Sequence, residues 1–197
     1  MKQSQYHRMD LETAIKKNDI EAIKQFLQDP NVNPNLRLSE KGFAPLSEAC
    51  YFGHLDLVKL LLNDPRIDVN NADNNKGKTP FNIACEYGRT EIVKLLLNDE
   101  RVNINKPTKE DNQTPLFYAS MMGRTECIEY ILASGRGLDL TIKNQNGYTA
   151  IDIARKQRNS DIVNLLKSFE DNPNETKTKL RDKLGLLGIF FLFLFSF

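Results

Sequence analysis

Residues 79–97 read TPFNIACEYGRTEIVKLLL and residues 114–132 read TPLFYASMMGRTECIEYIL, so the same pattern returns after 35 positions. The alanine within each stretch belongs to a series with this spacing and no insertion: Ala14, Ala49, Ala84, Ala119 and Ala154. A fixed period of roughly 20–50 residues is typical of proteins built from stacked structural repeats. The chain is therefore predicted to contain five repeats in one register.

Within each repeat, the apolar residues follow the spacing of two helices. The longer of the two apolar runs contains Leu57, Val58 and Leu61 at helical spacing. The same spacing of apolar residues returns 35 residues later. A shorter run begins at Pro45, and proline is tolerated in the first turn of a helix. Glycines that tolerate a positive φ separate the two runs: Gly53, Gly88 and Gly123. Each repeat is therefore predicted to be a helical hairpin, with polar loops rich in Asn, Asp and Gly between hairpins.

The segments Thr79–Ala84 and Thr114–Ala119 resemble the T-P-L-H-x-A signature of the ankyrin repeat. The segments 53–62 and 68–70 are similar to the second helix and the following finger of that family. The resemblance covers about residues 10–170 and implies an all-α fold, an ankyrin-repeat solenoid of about five stacked helical hairpins with β-turn fingers as connections. It also implies a module that binds a protein partner and performs no chemistry.

The repeats depart from this family in their period and in one signature residue. The period is 35 residues, whereas that of the family is about 33. The resemblance implies a hydrogen bond between the signature threonine and the signature histidine. In this sequence the histidine is replaced by Ser47, Asn82, Phe117 and Asp152. That bond is therefore expected at most at the three polar positions, and packing must hold the repeat that contains Phe117.

The 197 residues divide into four predicted parts: an N-terminal arm (1–9), the repeat domain (10–170), a polar linker (171–183) and an apolar tail (184–197). The first hairpin is expected to begin at Asp10, a suitable N-cap. The last hairpin carries polar residues at 155–159, as the exposed end of a finite stack requires. The stack is therefore expected to be complete.

Composition excludes several functional classes. The chain has 27 basic and 26 acidic side chains and no basic stripe, which argues against a nucleic-acid partner. Its three cysteines are odd in number and far apart, which favours a reducing compartment over a disulfide scaffold. The first residues lack the apolar stretch of a signal peptide. A cytoplasmic monomer is expected.

One surface of the first helices is the candidate binding site. Tyr51 and Phe52 lie about 150° and 110° from the centre of the buried arc, and both point outward. Their equivalents extend a stripe along the stack: Glu86, Tyr87, Met121 and Met122. The resemblance implies that this surface and the finger tips form a concave binding face, and aromatic and Met side chains are enriched in interfaces. The finger positions that extend it are Phe43, Lys78, Gln113 and Tyr148. The alternative is that Phe52, Tyr87 and Met122 lean over the neighbouring repeat and complete the core.

Catalytic and cofactor chemistry find little support in the sequence. His54 is the obvious candidate for an enzyme, but the only other histidine is His7, and no cluster has metal-ligand spacing. The cysteines Cys50, Cys85 and Cys127 occupy apolar positions of the repeats. No nucleotide-binding glycine motif is present. No cofactor and no metal are expected.

The tail 184–197 has no charge and contains five phenylalanines. As a helix of 1.5 Å per residue it would reach about 21 Å, less than the roughly 30 Å of a bilayer core. Three interpretations remain open: a short membrane anchor, a segment that docks on a partner, or a chain end translated from noncoding sequence. The predicted function is thus a scaffold or adaptor that binds an unidentified protein, and the alternative is a membrane-tethered adaptor with the same binding face.

Overall fold

The structure is a computed structural model that describes residues 8–38, 40–73 and 75–186. Over these ranges the chain forms eleven helices and no strand. The helices are α1 (Arg8–Lys16), α2 (Ile20–Gln28), α3 (Pro45–Phe52), α4 (Leu55–Leu62), α5 (Pro80–Glu86), α6 (Thr90–Leu97), α7 (Pro115–Met121), α8 (Thr125–Ala133), α9 (Ala150–Lys156), α10 (Ser160–Asp171) and α11 (Pro173–Lys183). The prediction that Asp10 is the N-cap is wrong, because α1 already includes Arg8 and Met9 and Asp10 lies within the helix. The rest of the predicted arm, residues 1–7, lies outside the described residues.

The first ten helices form five hairpins that stack in chain order, as predicted. The first helices of successive hairpins pack side by side through α1, α3, α5, α7 and α9, and the second helices do so from α2 to α8. Their apolar faces meet in one continuous core, in which Ile23, Val58, Val93 and Ile128 are fully buried at equivalent positions. A single hairpin could not shield such a face from water, so stacking is the source of stability.

Backbone hydrogen bonds close the finger that precedes each first helix from the second hairpin onward. The amide of Asp73 donates to the carbonyl of Lys78 at 2.9 Å, and that of Thr108 donates to Gln113 at 3.0 Å. Neighbouring fingers are also joined, since the amide of Lys109 donates to the carbonyl of Lys76 at 3.0 Å. The fingers are therefore ordered parts of the stack.

The turn between the two helices of a hairpin has a positive φ in all five repeats. The glycines Gly53, Gly88 and Gly123 have φ values of 83°, 64° and 67°, while Asn18 and Arg158 take the same conformation in the end hairpins. At Gly88 a Cβ atom would also lie 2.9 Å from Cδ of Arg124 in the next repeat. Glycine is therefore required there both for conformation and for space.

The start of the first helix shows how the missing signature histidine is replaced. Thr79 accepts a hydrogen bond from the amide of Asn82 at 3.2 Å, and the Asn82 side chain accepts one in return from the amide of Thr79. Asp152 does the same for Thr149. These pairs are capping boxes. In the repeat with Phe117, the hydroxyl of Thr114 still accepts a hydrogen bond from the backbone amide of Phe117. The Phe117 side chain itself is buried.

The second hairpin lacks this cap, although its backbone is prepared for it. Ala44 occupies the capping position with φ −82° and ψ 166°, almost the values of Thr79. Consequently Ser47, the third polar substitute, makes no such bond, and its buried Oγ has no hydrogen-bond partner among the described residues. We expect Ala44→Thr to stabilise the protein by about 1 kcal/mol, because it adds an N-cap in a backbone that already suits threonine. Urea denaturation of the variant and of Ala44→Val, which adds bulk without the hydroxyl, measures this effect. An equal change in both variants would contradict the capping explanation.

The prediction of a polar linker over 171–183 is wrong, because this segment forms α11 and packs against α8 and α10. Thr176 and Leu180, one helical turn apart, are buried at 8% and 5% exposure. Asn172 caps the helix by accepting from the amide of Glu175, and Arg181 Nε donates to the carbonyl of Ala133 at 2.8 Å. Two buried side chains thus dock a helix whose composition is otherwise polar.

The apolar tail begins on the core and then leaves the described part of the chain. Leu184 and Leu186 are partly buried against the core, beyond the end of α11. Residues 187–197, which carry most of the predicted tail, lie outside the described residues. Among the described helices, none is both long and apolar enough to cross a membrane.

Candidate functional site

The predicted site residues, together with Lys156 and Gln157, which continue the spacing, fall on three rows that run along the stack. The finger row contains Phe43, Lys78, Gln113 and Tyr148; the helix-end row contains Tyr51, Glu86, Met121 and Lys156; the turn row contains Phe52, Tyr87, Met122 and Gln157. Members of one row are 35 residues apart, and each helix-end residue follows its finger residue by eight positions. Stacking therefore places every member at an equivalent point of its repeat.

Contacts connect the finger row to the helix-end row within a repeat. The rings of Phe43 and Tyr51 lie 5.8 Å apart between centroids. In the next repeat, Nζ of Lys78 lies 2.7 Å from Oε2 of Glu86. In the last repeat, Nζ of Lys156 lies 3.3 Å from the ring centroid of Tyr148. The two rows are thus in contact within a repeat, and the contact is aromatic in the second hairpin, ionic in the third and cation–π in the fifth.

The turn row carries the exposed apolar side chains. Tyr87 is 38% and Met122 is 41% exposed, and together with Leu36 they are the exposed large hydrophobic residues in the described part of the chain. Phe52 is half-buried and stacks on the ring of His54 at 5.7 Å. Single exposed apolar side chains are common, but these two occupy equivalent positions of adjacent repeats.

Tyr51 is the centre of an aromatic cluster. Its ring contacts Phe52 and Tyr87 edge to face, at centroid distances of 5.0 and 4.7 Å. Phe43 lies behind it and is only 6% exposed, so this finger residue belongs to the core and supports the face from beneath instead of extending it. Edge-to-face packing fixes ring positions and adds about 0.5–1.5 kcal/mol per pair. The cluster is therefore a rigid part of the surface.

A lysine that the sequence analysis did not select lies on this cluster. Nζ of Lys41 is 4.0 Å from the centroid of the Tyr51 ring and 5.8 Å from that of Phe43. A hydrogen bond to Tyr51 raises the pKa of the Lys41 ammonium, which therefore stays charged. Burial, followed by the Glu86 carboxylate, raises the pKa of Tyr87, so its hydroxyl stays protonated at neutral pH.

The ion pair in the middle of the surface is well shielded from water. The side chains of Lys78 and Glu86 are only 14% and 13% exposed, and the Lys78 ammonium also lies 4.7 Å from the ring centroid of Tyr118. The charges of Lys78 and Glu86 neutralise each other next to Tyr87, which follows Glu86 in the chain. Tyr118 and Lys156, like Lys41, were missed as site residues. The signal that would have found Lys156 is its place one period after Met121.

Gln113 and Met121 occupy the finger row and the helix-end row of the fourth hairpin, and both are partly exposed. Neither of these two residues carries a charge.

His54, the candidate for catalysis, has a structural role. Its Nε2 lies 3.3 Å from the carbonyl oxygen of Lys16 in the preceding repeat. The equivalent residues make the same kind of bond: Arg89 donates to Tyr51 O at 2.9 Å, Arg124 to Glu86 O at 3.2 Å and Asn159 to Ser120 O at 3.3 Å. His54 is thus one of four side chains that tie a second helix to the hairpin before it.

The cysteines lie in the core. Cys50 and Cys85 are fully buried and Cys127 is 1% exposed. Burial raises the pKa of all three thiols, so they are protonated at neutral pH and behave as small apolar residues. No group of three or more His, Cys, Asp or Glu side chains suited to a metal ion occurs within the described ranges.

Comparison with protein families agrees with this architecture. The family model described as "Ankyrin repeats (3 copies)" matches residues 11–108 and 99–177. The second match ends inside α11, beyond the fifth hairpin. No curated protein matches the chain significantly.

Proposed function

Since the chain belongs to the ankyrin repeat family, whose members are generally protein–protein interaction modules and typically not enzymes, we propose that it binds a partner protein on the face formed by the three rows. In this proposal the chain acts as a monomeric scaffold or adaptor in the cytoplasm and performs no chemistry. The proposal assigns recognition to the concave side of the stack, where the fingers meet the ends of the first helices.

The observation that carries this proposal is the exposure of Tyr87 and Met122 beside an otherwise rigid surface. Among the described residues, most large apolar side chains are buried, whereas these two lie at 38% and 41% exposure on adjacent repeats. Tyrosine and methionine are enriched in interfaces, and a few such residues supply most of the binding energy. The aromatic cluster and the buried ion pair hold the surrounding surface in place, which lowers the entropy lost on binding.

The experiment is to compare binding by the full chain with binding by the double variant Tyr87→Ala, Met122→Ala. We expect the double variant to lose about 1–3 kcal/mol of binding free energy, which is roughly a 5- to 150-fold weaker affinity, with unchanged helicity. The measurement is quantitative capture of partner proteins from cell extract by the immobilised chain, followed by titration of each captured protein.

Leu36→Ala is the matched control, because Leu36 is equally exposed but lies outside the three rows. Specific partners are those retained by the wild type and by the control and lost by the double variant. If both variants retain the same proteins with the same affinity, the face is not the binding site.

A further inference from the structure

The charges along the face differ between its middle and its ends. The central lysine, Lys78, is already paired with Glu86 at 2.7 Å. Lys41 and Lys156 lie instead on the rings of Tyr51 and Tyr148, at 4.0 and 3.3 Å. Among the described residues, no ion pair involves either of these two ammonium groups, although the Glu48 carboxylate also acts on Lys41 and helps to raise its pKa. Each end of the face therefore carries an ammonium group that lies on an aromatic ring and takes part in no direct ion pair of the described residues.

We propose that the segment bound on this face is an extended peptide with two acidic residues that pair with Lys41 and Lys156 and with apolar side chains between them that pack on Tyr87 and Met122. This inference rests on the proposed function and adds the chemistry of the partner. An ammonium held on an aromatic ring has fewer conformations to lose than a free lysine, so a carboxylate can pair with it at a smaller entropic cost.

The repeat spacing predicts how far apart the two acidic residues are. Lys156 stands in the helix-end row three periods of 35 after Tyr51, on which the Lys41 ammonium lies. Neighbouring helices are about 8–10 Å apart, so three steps cover about 24–30 Å. An extended chain advances about 3.3 Å per residue. The acidic residues are therefore expected about seven to nine positions apart.

The test is selection from a library of random 12-residue peptides displayed on phage, with the full chain as bait. We expect enrichment of Asp or Glu at two positions about seven to nine apart, with aliphatic or aromatic residues between them. We expect the double variant Lys41→Glu, Lys156→Glu to bind the selected peptides about 5- to 30-fold more weakly and to enrich Lys or Arg at the same positions.

The matched control reverses two exposed lysines on second helices, Lys59→Glu and Lys167→Glu, and so changes the total charge equally. We expect the selected peptides to bind this control as they bind the wild type. Equal weakening in both double variants would mean that the effect is one of net charge, and it would overturn the inference.

Two further outcomes separate the inference from the function on which it rests. Peptides that depend on Tyr87 and Met122 but carry no acidic bias, or carry a basic one, would overturn the inference and leave the proposed function standing. Peptides whose binding is unaffected by Tyr87→Ala with Met122→Ala would contradict the proposed function itself.

Discussion

Arg136→Ala is expected to destabilise the protein by about 2–3 kcal/mol, although the Arg136 side chain is only half-buried. The Arg136 guanidinium donates to four carbonyl oxygens of the preceding repeat, those of Leu97, Asp99, Glu100 and Val102, at 2.7 to 3.3 Å. The first of these carbonyls belongs to the last turn of α6, where a helix leaves its carbonyls without internal partners. Arg136 thus supplies hydrogen-bond donors from one repeat to backbone carbonyls at the end of the preceding hairpin.

The free energy of unfolding in urea measures this effect, with Arg155→Ala as the control. Arg155 is also an arginine on a late repeat, but its guanidinium is half exposed and, among the described residues, its ion pair is with Asp152 on its own helix. Its removal is expected to cost about 0.5 kcal/mol or less. Arg136→Lys should resemble Arg136→Ala, because an ammonium cannot fork across several carbonyls. Equal denaturation midpoints for all three variants would show that this bridge does not stabilise the stack.

The second large effect is expected at Leu180, which docks α11. Leu180 is 5% exposed and lies against α8 and α10 in a helix with few other apolar contacts. We expect Leu180→Ala to cost about 2–4 kcal/mol, the usual range for a buried leucine. Because Thr176 is the other buried side chain of α11, the loss should release the whole helix before the hairpins unfold.

Amide hydrogen exchange across residues 173–183 measures this release, and Thr178→Ala on the exposed side of α11 is the control. We expect slow exchange in the wild type and in the control, and fast exchange in Leu180→Ala. Fast exchange already in the wild type would mean that the segment is the linker that its composition suggests.

The repeat pattern alone was sufficient to predict the hairpins and the order of their stacking. The spacing of Ala14 to Ala154 and the position of Gly53, Gly88 and Gly123 are backbone requirements, and these repeat in the sequence because every hairpin needs them. The helix α11 was missed because only Thr176 and Leu180 mark its buried side, and two apolar positions do not stand out in a polar segment.

The details of the candidate site could be predicted only in part. The rows follow from the period, and in the structure the side chains of Tyr87 and Met122 are both exposed. Whether a lysine pairs with a carboxylate, as Lys78 does, or lies on a ring, as Lys41 does, depends on side-chain reach between elements that are not adjacent in sequence. Phe43 shows the same limit, since its finger position suggested exposure and the turn of the finger buries it.

The residues that make one set of inter-repeat hydrogen bonds recur in the sequence, but only the structure shows the bonds. Asparagines recur at Asn35, Asn70 and Asn105, and each donates to a carbonyl in the next repeat, as Asn70 Nδ2 does to Arg101 O at 2.7 Å. Each also accepts from a backbone amide of that repeat, as Asn70 Oδ1 does from Asn103 at 2.8 Å. These asparagine hydrogen bonds join the loops between hairpins, which are longer because each period has two extra residues. They make the stack, and with it the face, a rigid unit.

Residue-resolved mapping of a bound peptide is the most direct test of the central claim that the three rows form the recognition face. The measurement is the change in backbone amide NMR shifts of the full chain on titration with a peptide selected by phage display. We expect the largest changes at residues 41–52, 78–88, 113–123 and 148–157, in every repeat that the peptide crosses. Changes confined to the second helices α4, α6 and α8, with these four segments unaffected, would contradict it.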